Sequence, residues 1–308
     1  MLINRYVATS RSRVVRKEMA FLLGYARRYF RHGFRPRTLL FYPDYPLWET
    51  EIFKIARRLD YNVTNNPRLP FDLAFAWEDA TRRRPVPELV QFAGRVPVVN
   101  ARCTDISKTK VEAVFRSVFR YGSFVNPTTG RGLAVQKSDH NARHDGRIIE
   151  LPIAGPEPGY VYQKLLNHVD AGGLAVDFRV TVFGAAIPYV TLRYKPLQTR
   201  FTNTVRATLA DPGDIFSAVE LQNIRHFCRR LGLDYGELDV IRHQDDGRLY
   251  ILDANNTPWS PPLSVDIAPA ERQRMLDAGV AAFRENFLET PAGHPMLREL
   301  LMHSRLEG

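Results

Sequence analysis

Residues 38–100 alternate between two kinds of run, and that alternation constrains the fold more than any other feature of the chain. TLLFYPD (Thr38–Asp44), YNVT, FDLAFAWED (Phe71–Asp79) and VPVVN (Val96–Asn100) read as short buried strands. Between them, LWETEIFKIARRL (Leu47–Leu59) has the spacing of an amphipathic helix and PVPELVQFA that of a shorter one. Strands separated by helices bury their surfaces as a small parallel α/β layer. The layer holds neither GxGxxG nor GxxxxGK[ST], so it is not a self-sufficient nucleotide site of either standard kind.

Downstream the pattern changes. Residues 104–122 read as a helix that Thr104 or Asp105 can cap, with Val111, Val114, Phe115 and Val118 as its apolar face. GLAVQK and GRIIELPI alternate like strands on either side of the polar loop SDHNARHD, and YVYQKLL (Tyr160–Leu166) is a third. Residues Val176–Pro196 read as a hairpin turning near Gly184. SAVELQNIRHFCRRLG is a helix ended by Gly232, with Val219, Ile224, Phe227 and Leu231 expected inward. YGELDVIRH and RLYILDANN pair around the turn Asp245–Gly247, and Ala268–Phe287 is helical before a polar tail.

Charge is unevenly placed. The 308 residues carry a net +10, yet residues 1–43 hold ten basic residues against one acid, Glu18. That segment is +9 and the remaining body +1, so any argument from charge to a partner concerns the arm alone. Met19–Ala26 has the look of a leader's apolar run, but Arg27, Arg28 and Arg31 follow it directly and oppose export. A helix with Val15, Met19, Leu22, Ala26 and Tyr29 on one face explains the run better. Two readings of it stay open: a helix packed on the next domain with a solvated basic face, or contact of residues 1–37 with an anionic surface. Cys103 and Cys228 are unclustered, which fits a reducing cytosol. The expected location is cytoplasmic, and peripheral at the inner membrane surface if the arm binds lipid. No specific nucleic-acid partner is expected.

The sharpest chemistry lies in GELDVIRHQDDGRLYILDANNTP. Two antiparallel strands place Asp239 on one and Asp253 and Asn255 on the other, the last two facing the same side because they are two apart. Two carboxylates and an amide oxygen are hard ligands suited to Mg²⁺ completed by substrate phosphates. The plainer alternative is a polar strand end with Asn255 opening a turn before Pro258. His140 and His144 have HxxxH spacing beside Asp139 and Asp145, but no third or fourth zinc ligand is identifiable and a lid loop accounts for them.

From Asp177 to Pro258 the order DFRVTVFG, LGLDYGELDVI, LYILDANNTP resembles the C-terminal half of the ATP-grasp superfamily, as in ribosomal-protein glutamate ligases and D-alanine–D-alanine ligase. RFTNTVR (Arg200–Arg206) is similar to the teichuronopeptide-biosynthesis branch. The resemblance implies an α/β preceding domain followed by an α+β ATP-grasp fold with the nucleotide site between two lobes. In that division residues 1–37 are the basic helical arm, 38–103 the preceding domain, 104–290 the ATP-grasp domain with a lid lobe at about 124–166, and 291–308 a tail. It implies ATP as substrate and Mg²⁺, with Mn²⁺ as a substitute, held by Asp239, Asp253 and Asn255. Lys137 matches the lysine that grips the α- and β-phosphates, and Lys108 or Lys110 the earlier lysine. Gln163, Lys164, Leu165 and Leu166 match the hinge that reads the adenine edge, with Asp170 a ribose partner. Arg179, Arg193, Asn203 and Arg206 lie where the family contacts the transferred phosphate and the acceptor.

Three departures stand beside these matches. The lid loop SDHNARHDG has a single glycine, Lys164 replaces a common acid, and Glu237 stands where D-alanine-type ligases keep an arginine. The activity implied is ATP-dependent joining of an unknown carboxylate and amine through an acyl phosphate, releasing ADP and phosphate. The rivals are a kinase acting on a small-molecule or glycan hydroxyl, which uses the same phosphate machinery, and a non-catalytic nucleotide-regulated binding protein.

Overall fold

A computed structural model describes residues 19, 23–84, 86–93, 95–143, 145–201, 204–259 and 265–289. Among the described residues it is an α+β arrangement built around three sheets. Helix α1 (23–31) leads into β1 (Thr38–Pro43), α2 (Glu51–Arg58), β2 (Asn62–Thr64), β3 (Leu73–Trp77), α3 (Pro87–Ala93) and β4 (Val98–Val99). The four strands are all parallel in the order β2-β1-β3-β4, as the alternating runs require. Every residue of β3 is buried, so its sequence shows no two-residue period. On one side of this sheet Phe41 stacks on Phe75 at 4.6 Å, and Phe75 reaches Tyr235 and Phe283 at 6.1 Å each. The first layer therefore shares its core with the rest of the chain.

Helix α4 (Lys108–Phe119) begins at Ser107, whose Oγ accepts from Lys110 N, and not at Thr104 or Asp105. Asp105 instead accepts from Ser107 N, which sets the cap in place. Val111, Val114 and Phe115 are buried as the spacing predicts, and so is Glu112. Glu112 accepts from Ser123 N, Ser123 Oγ and Phe124 N, fixing the start of the next unit. That unit is an antiparallel sheet, β6-β5-β7, from β5 (Gly132–Ser138), β6 (Arg147–Leu151) and β7 (Tyr160–Lys164). Its far end returns to the same place: Lys164 N donates to Ser123 O at 2.8 Å and Gln163 Nε2 to Ser123 Oγ at 3.0 Å.

The largest sheet is antiparallel, in the order β10-β9-β8-β11-β12. It comprises β8 (Leu174–Phe183), β9 (Val190–Pro196), β10 (Arg206–Ala210), β11 (Tyr235–Arg242) and β12 (Leu249–Asn255). The one-turn α5 (Pro212–Ile215) and α6 (Ala218–Leu231) join β10 to β11, and α7 (Pro269–Phe283) is followed by a π-type turn, Arg284–Glu289. Helix α6 opens on a capping box, Ser217 with Glu220, and closes on Gly232 at φ +75°. Ile224, Phe227, Cys228 and Leu231 face inward. Val219 does not: at 65% exposure it belongs to the first turn, off the 224/227/231 stripe. α4 and α6 cover one face of this sheet, where Val180, Val182, Val190, Leu238 and Val240 are buried.

The seam between the first layer and the largest sheet is held by Asn100, fully buried at φ +61°. Its Oδ1 accepts from Asp234 N and Tyr235 N, its Nδ2 donates to Tyr235 O and Asn256 O, and its N donates to Asp234 Oδ2. Burial pushes the Asp234 carboxyl up to about 6, against the pull of that Asn100 N–H. Asn100→Ala leaves several buried groups unpartnered in a left-handed conformation and should cost about 3 kcal/mol of stability. Asn100→Gly loses the same bonds without the backbone strain and should cost about 1 kcal/mol less. Urea titration of the three proteins measures the difference.

Candidate functional site

The two-residue period of the largest sheet separates its chemistry. While the even-numbered side chains of β8 and β11 meet α4 and α6, Asp177, Arg179, Glu237 and Asp239 point to the other side, joined there by Arg193 and Lys195 of β9. Asp239 pairs directly with Asp253 across β11 and β12. Between these pairs and Val240↔Ile251 the register slips, leaving Leu252 as an extra residue in β12. The three-stranded sheet lies over this charged floor and encloses a cavity of about 450 Å³.

Most of the expected site residues meet in this cavity. Lys108 donates to His140 O at 2.9 Å and stands 3.6 Å from Asp253 Oδ2. Lys137, on the lid strand, reaches across to the carbonyl of the bulged Leu252 at 3.5 Å. Arg179 lies 3.0 Å from Asp239 Oδ1 through Nε and 3.3 Å from Glu237 through Nη1. Arg193 stands 3.6 Å from Asp239 and donates from Nε to Thr204 Oγ1 at 2.9 Å. Gln163, Lys164, Leu165, Leu166 and Asn255 line the same cavity.

Three of the expected residues lie away from the cavity, and a fourth falls outside the described residues. Lys110 is exposed and outside the cavity, two residues along α4 from Lys108, which lines it. Asp170 is also outside: its Oδ1 accepts from Gly172 N and Leu174 N, closing the turn into β8. Arg206 is exposed on the edge strand β10 and stacks on Tyr194 at 4.0 Å. Asn203 lies outside the described residues, as does His144. Asp139 pairs with Arg82 at 2.6 Å and Asp145 accepts from Ser138 N. Among the described residues no group of three or more His, Cys, Asp or Glu side chains could hold a metal, so nothing there supports zinc.

The electrostatics divide the walls. Burial alone would raise the Asp239 carboxyl, but Arg179 and Arg193 outweigh it and hold it below its ordinary value. Burial raises Asp253 despite the pull of Lys108 and Lys137. Burial brings Lys137 down to about 8, opposed by Asp253. Asp239 Oδ1 is buried yet has no hydrogen bond of acceptable geometry, although Arg179 stands beside it. Two carboxylates and the Asn255 amide on one cavity wall have the donor chemistry of a hard divalent cation that substrate oxygens complete. Asn255 Oδ1 accepts from Thr257 N at 3.0 Å, the turn that the plainer reading expects.

Sequence reading missed Lys195 and His168, which join Asp177 on the cavity wall. Lys195 Nζ makes a close ion pair with Asp177, and His168 bridges Asp177 at 3.4 Å to the hinge carbonyl of Leu166 at 2.9 Å. Counting in twos from Arg179 and Arg193 finds Asp177 and Lys195; nothing local marks His168. Glu237 is also buried here, and burial raises its carboxyl against the opposing charge of Arg179. The two cysteines are buried away from the cavity, and burial pushes the Cys103 thiol up to about 12.

Burial would raise Asp177, but its partners His168 and Lys195 prevail and hold it at about 2, from an ordinary 3.8. A depressed carboxyl adds stability above its unfolded value and loses it as pH falls through the folded one, here roughly 2 kcal/mol lost between pH 4 and 2. Lys195→Met should therefore destabilise the protein by about 3 kcal/mol at neutral pH and by much less near pH 2, where Asp177 is already about half protonated. Urea titrations at the two pH values test this.

No protein-family model matches the chain, and no curated protein matches it. Solved structures do. The ATP-grasp ligase PsnB complexed with precursor peptide PsnA2 and AMPPNP is 12% identical, with a TM-score of 0.50 over 80% of this chain and 96% of that one. The RimK domain protein ATP-grasp from Sphaerobacter thermophilus is 16% identical at a TM-score of 0.42, covering 82% and 99%. The macrocyclase MdnC bound with precursor peptide MdnA from Microcystis aeruginosa is 12% identical at 0.41, covering 78% and 97%. On the likeness to the PsnB structure, together with the floor and lid described above, this chain has the ATP-grasp fold.

Proposed function

We propose that the chain is an ATP-dependent ligase that joins a carboxylate to an amine. One observation carries the reading: cations from α4, the lid and the floor converge with the Asp239–Asp253 pair on a single enclosed cavity. Such an arrangement has little use except to hold a polyphosphate, because phosphoryl transfer is mostly positioning and charge neutralisation. The similar ATP-grasp ligase PsnB is complexed with precursor peptide PsnA2 and AMPPNP, which supports binding of a nucleotide together with a substrate.

In this reading Lys137 and Lys108 draw the triphosphate under the lid, and the hinge 163–166 receives the base. Bound Mg²⁺, held by Asp239, Asp253 and Asn255, would neutralise phosphate charge. Arg179 and Arg193 orient the γ-phosphoryl group towards an acceptor carboxylate, whose oxygen forms the new bond to phosphorus as ADP leaves. The amine nitrogen then attacks the acyl carbon, and phosphate departs with the carboxylate's former oxygen. Lid closure excludes the water that would hydrolyse the acyl phosphate. Trp259, 51% exposed at the cavity mouth, is placed to border the acceptor's path.

Asp253→Asn should lower Mg²⁺-dependent ADP release about 100-fold or more while leaving the fold intact. Lys137→Ala removes a charge-assisted contact and should weaken AMPPNP binding roughly tenfold to a hundredfold. Calorimetry with AMPPNP and Mg²⁺, and ADP release in pooled carboxylates and amines, measure both. Equal ADP and free phosphate with a condensed product supports ligation. A product that retains labelled γ-phosphate makes the enzyme a kinase, and unchanged AMPPNP binding in both variants removes the site assignment.

A further inference from the structure

Helix α1 is built inside out. The side it turns to the body carries Gly24, Arg28 and His32. Arg28 is buried and donates from Nε to Asn62 Oδ1 at 2.6 Å; His32 Nε2 meets Asp60 Oδ2 at 2.8 Å; Gly24 fits closely beside Arg57. The opposite side carries Leu23, Phe30 and, just past the last turn, Phe34. These three are 59 to 69% exposed, and Met19 is 57% exposed. Phe30 and Phe34 meet edge to face at 5.5 Å, so they form a continuous aromatic ridge. Arg27 lies within the stripe and Arg31 and Arg35 beside it, all exposed. The expected packing of Met19 against the body is thus corrected; Val15 and Leu22 lie outside the described residues.

A soluble helix turns its apolar side inward, because exposed contiguous apolar area is unfavourable unless something covers it. Here polar docking through Arg28 and His32 holds the apolar stripe outward. We infer that α1 is a lipid-docking helix, which seats Leu23, Phe30 and Phe34 in the interfacial region of an anionic bilayer with its arginines at headgroup level. Charge complementarity selects this occupant. Residues 1–43 carry +9 on a nearly neutral body, so a second copy would bring two like-charged arms together. A nucleic acid would engage the arginines but has no place for a leucine and phenylalanine ridge. A bilayer surface accepts both kinds of side chain at once, aromatic rings and aliphatic groups below and guanidinium groups above. This inference is independent of the reaction proposed for the cavity.

The test uses the full chain and sedimentation with vesicles of phosphatidylcholine alone or with about 30% phosphatidylglycerol, at about 0.05 and about 0.5 M salt. Binding is expected to the anionic vesicles only, and to weaken at high salt. The triple variant L23S/F30S/F34S changes exposed side chains, so its melting temperature should stay unchanged while its partitioning falls about tenfold or more. Absence of binding at low salt overturns the inference. So does binding that the triple variant leaves intact, which would mean that the arm's charge alone suffices. Concentration-dependent dimerisation of the wild type that the triple variant abolishes, without vesicle binding, overturns it in favour of a second copy.

Discussion

A sheet with charge on one face and hydrocarbon on the other needs its hydrocarbon covered and, where the charged face is also buried, its charges paired, and that requirement organises this protein. The two-residue period of β8 and β11 gives Val180, Val182, Leu238 and Val240 to α4 and α6, and Asp177, Arg179, Glu237 and Asp239 to the cavity. A buried face of that polarity is tolerable because opposite charges lie side by side: Arg179 serves both Glu237 and Asp239, and Lys195 serves Asp177. At the cavity, Asp239 Oδ1 keeps its guanidinium neighbours without a hydrogen bond of acceptable geometry, and Lys137 rests on the Leu252 carbonyl at 3.5 Å. The same constraint that makes the floor stable thus leaves its centre short of good hydrogen bonds, which a ligand can supply.

Among the described residues the first layer contributes no group to the cavity lining, yet it determines how the floor is held. Phe75 and Phe41 share a core with Tyr235 and Phe283, and Asn100 ties the end of β4 to both Tyr235 and Asn256. Those two residues flank the strands that carry Asp239 and Asp253. On the other side Tyr189, at the start of β9, donates to Glu51 of α2, where burial raises that carboxyl to about 7 despite the hydrogen bond. The layer is a mounting plate for the sheet, and the rigidity of the site follows from contacts distant from it.

How much of this was legible depended on whether the information was local. The strand and helix runs were, because period and caps are written in neighbouring residues; the exceptions, Ser107 as the cap of α4 and Val219 turned outward, sit at helix ends, where competing side chains decide. The pairing of β11 with β12 was legible from its turn, whereas the bulge at Leu252, without which Asp239 would face Leu252 and not Asp253, was not. The choice between Lys108 and Lys110 was not, since it depends on where α4 points. Asp170 and Arg206 have the right chemistry in the right stretch of chain, yet a turn hydrogen bond claims one and an edge-strand stack on Tyr194 the other. His168 was invisible because its role rests on a contact with Asp177 and a hinge carbonyl that only folding creates.

The meeting of Ser123, Gln163 and Lys164 at Glu112 has a consequence for how such a protein can diversify. The lid leaves the body and re-enters it at almost the same point, so the body experiences the segment between as a closed excursion. Its length and sequence can change with little effect on the ends, because closing a longer excursion adds only logarithmically to the entropic cost. Exchange of the whole segment would replace the roof of the cavity, including Lys137 and the loop that follows it, and leave Asp239, Asp253, Arg179 and Arg193 undisturbed. The anchoring glutamate makes the lid an interchangeable cassette over an unaltered floor.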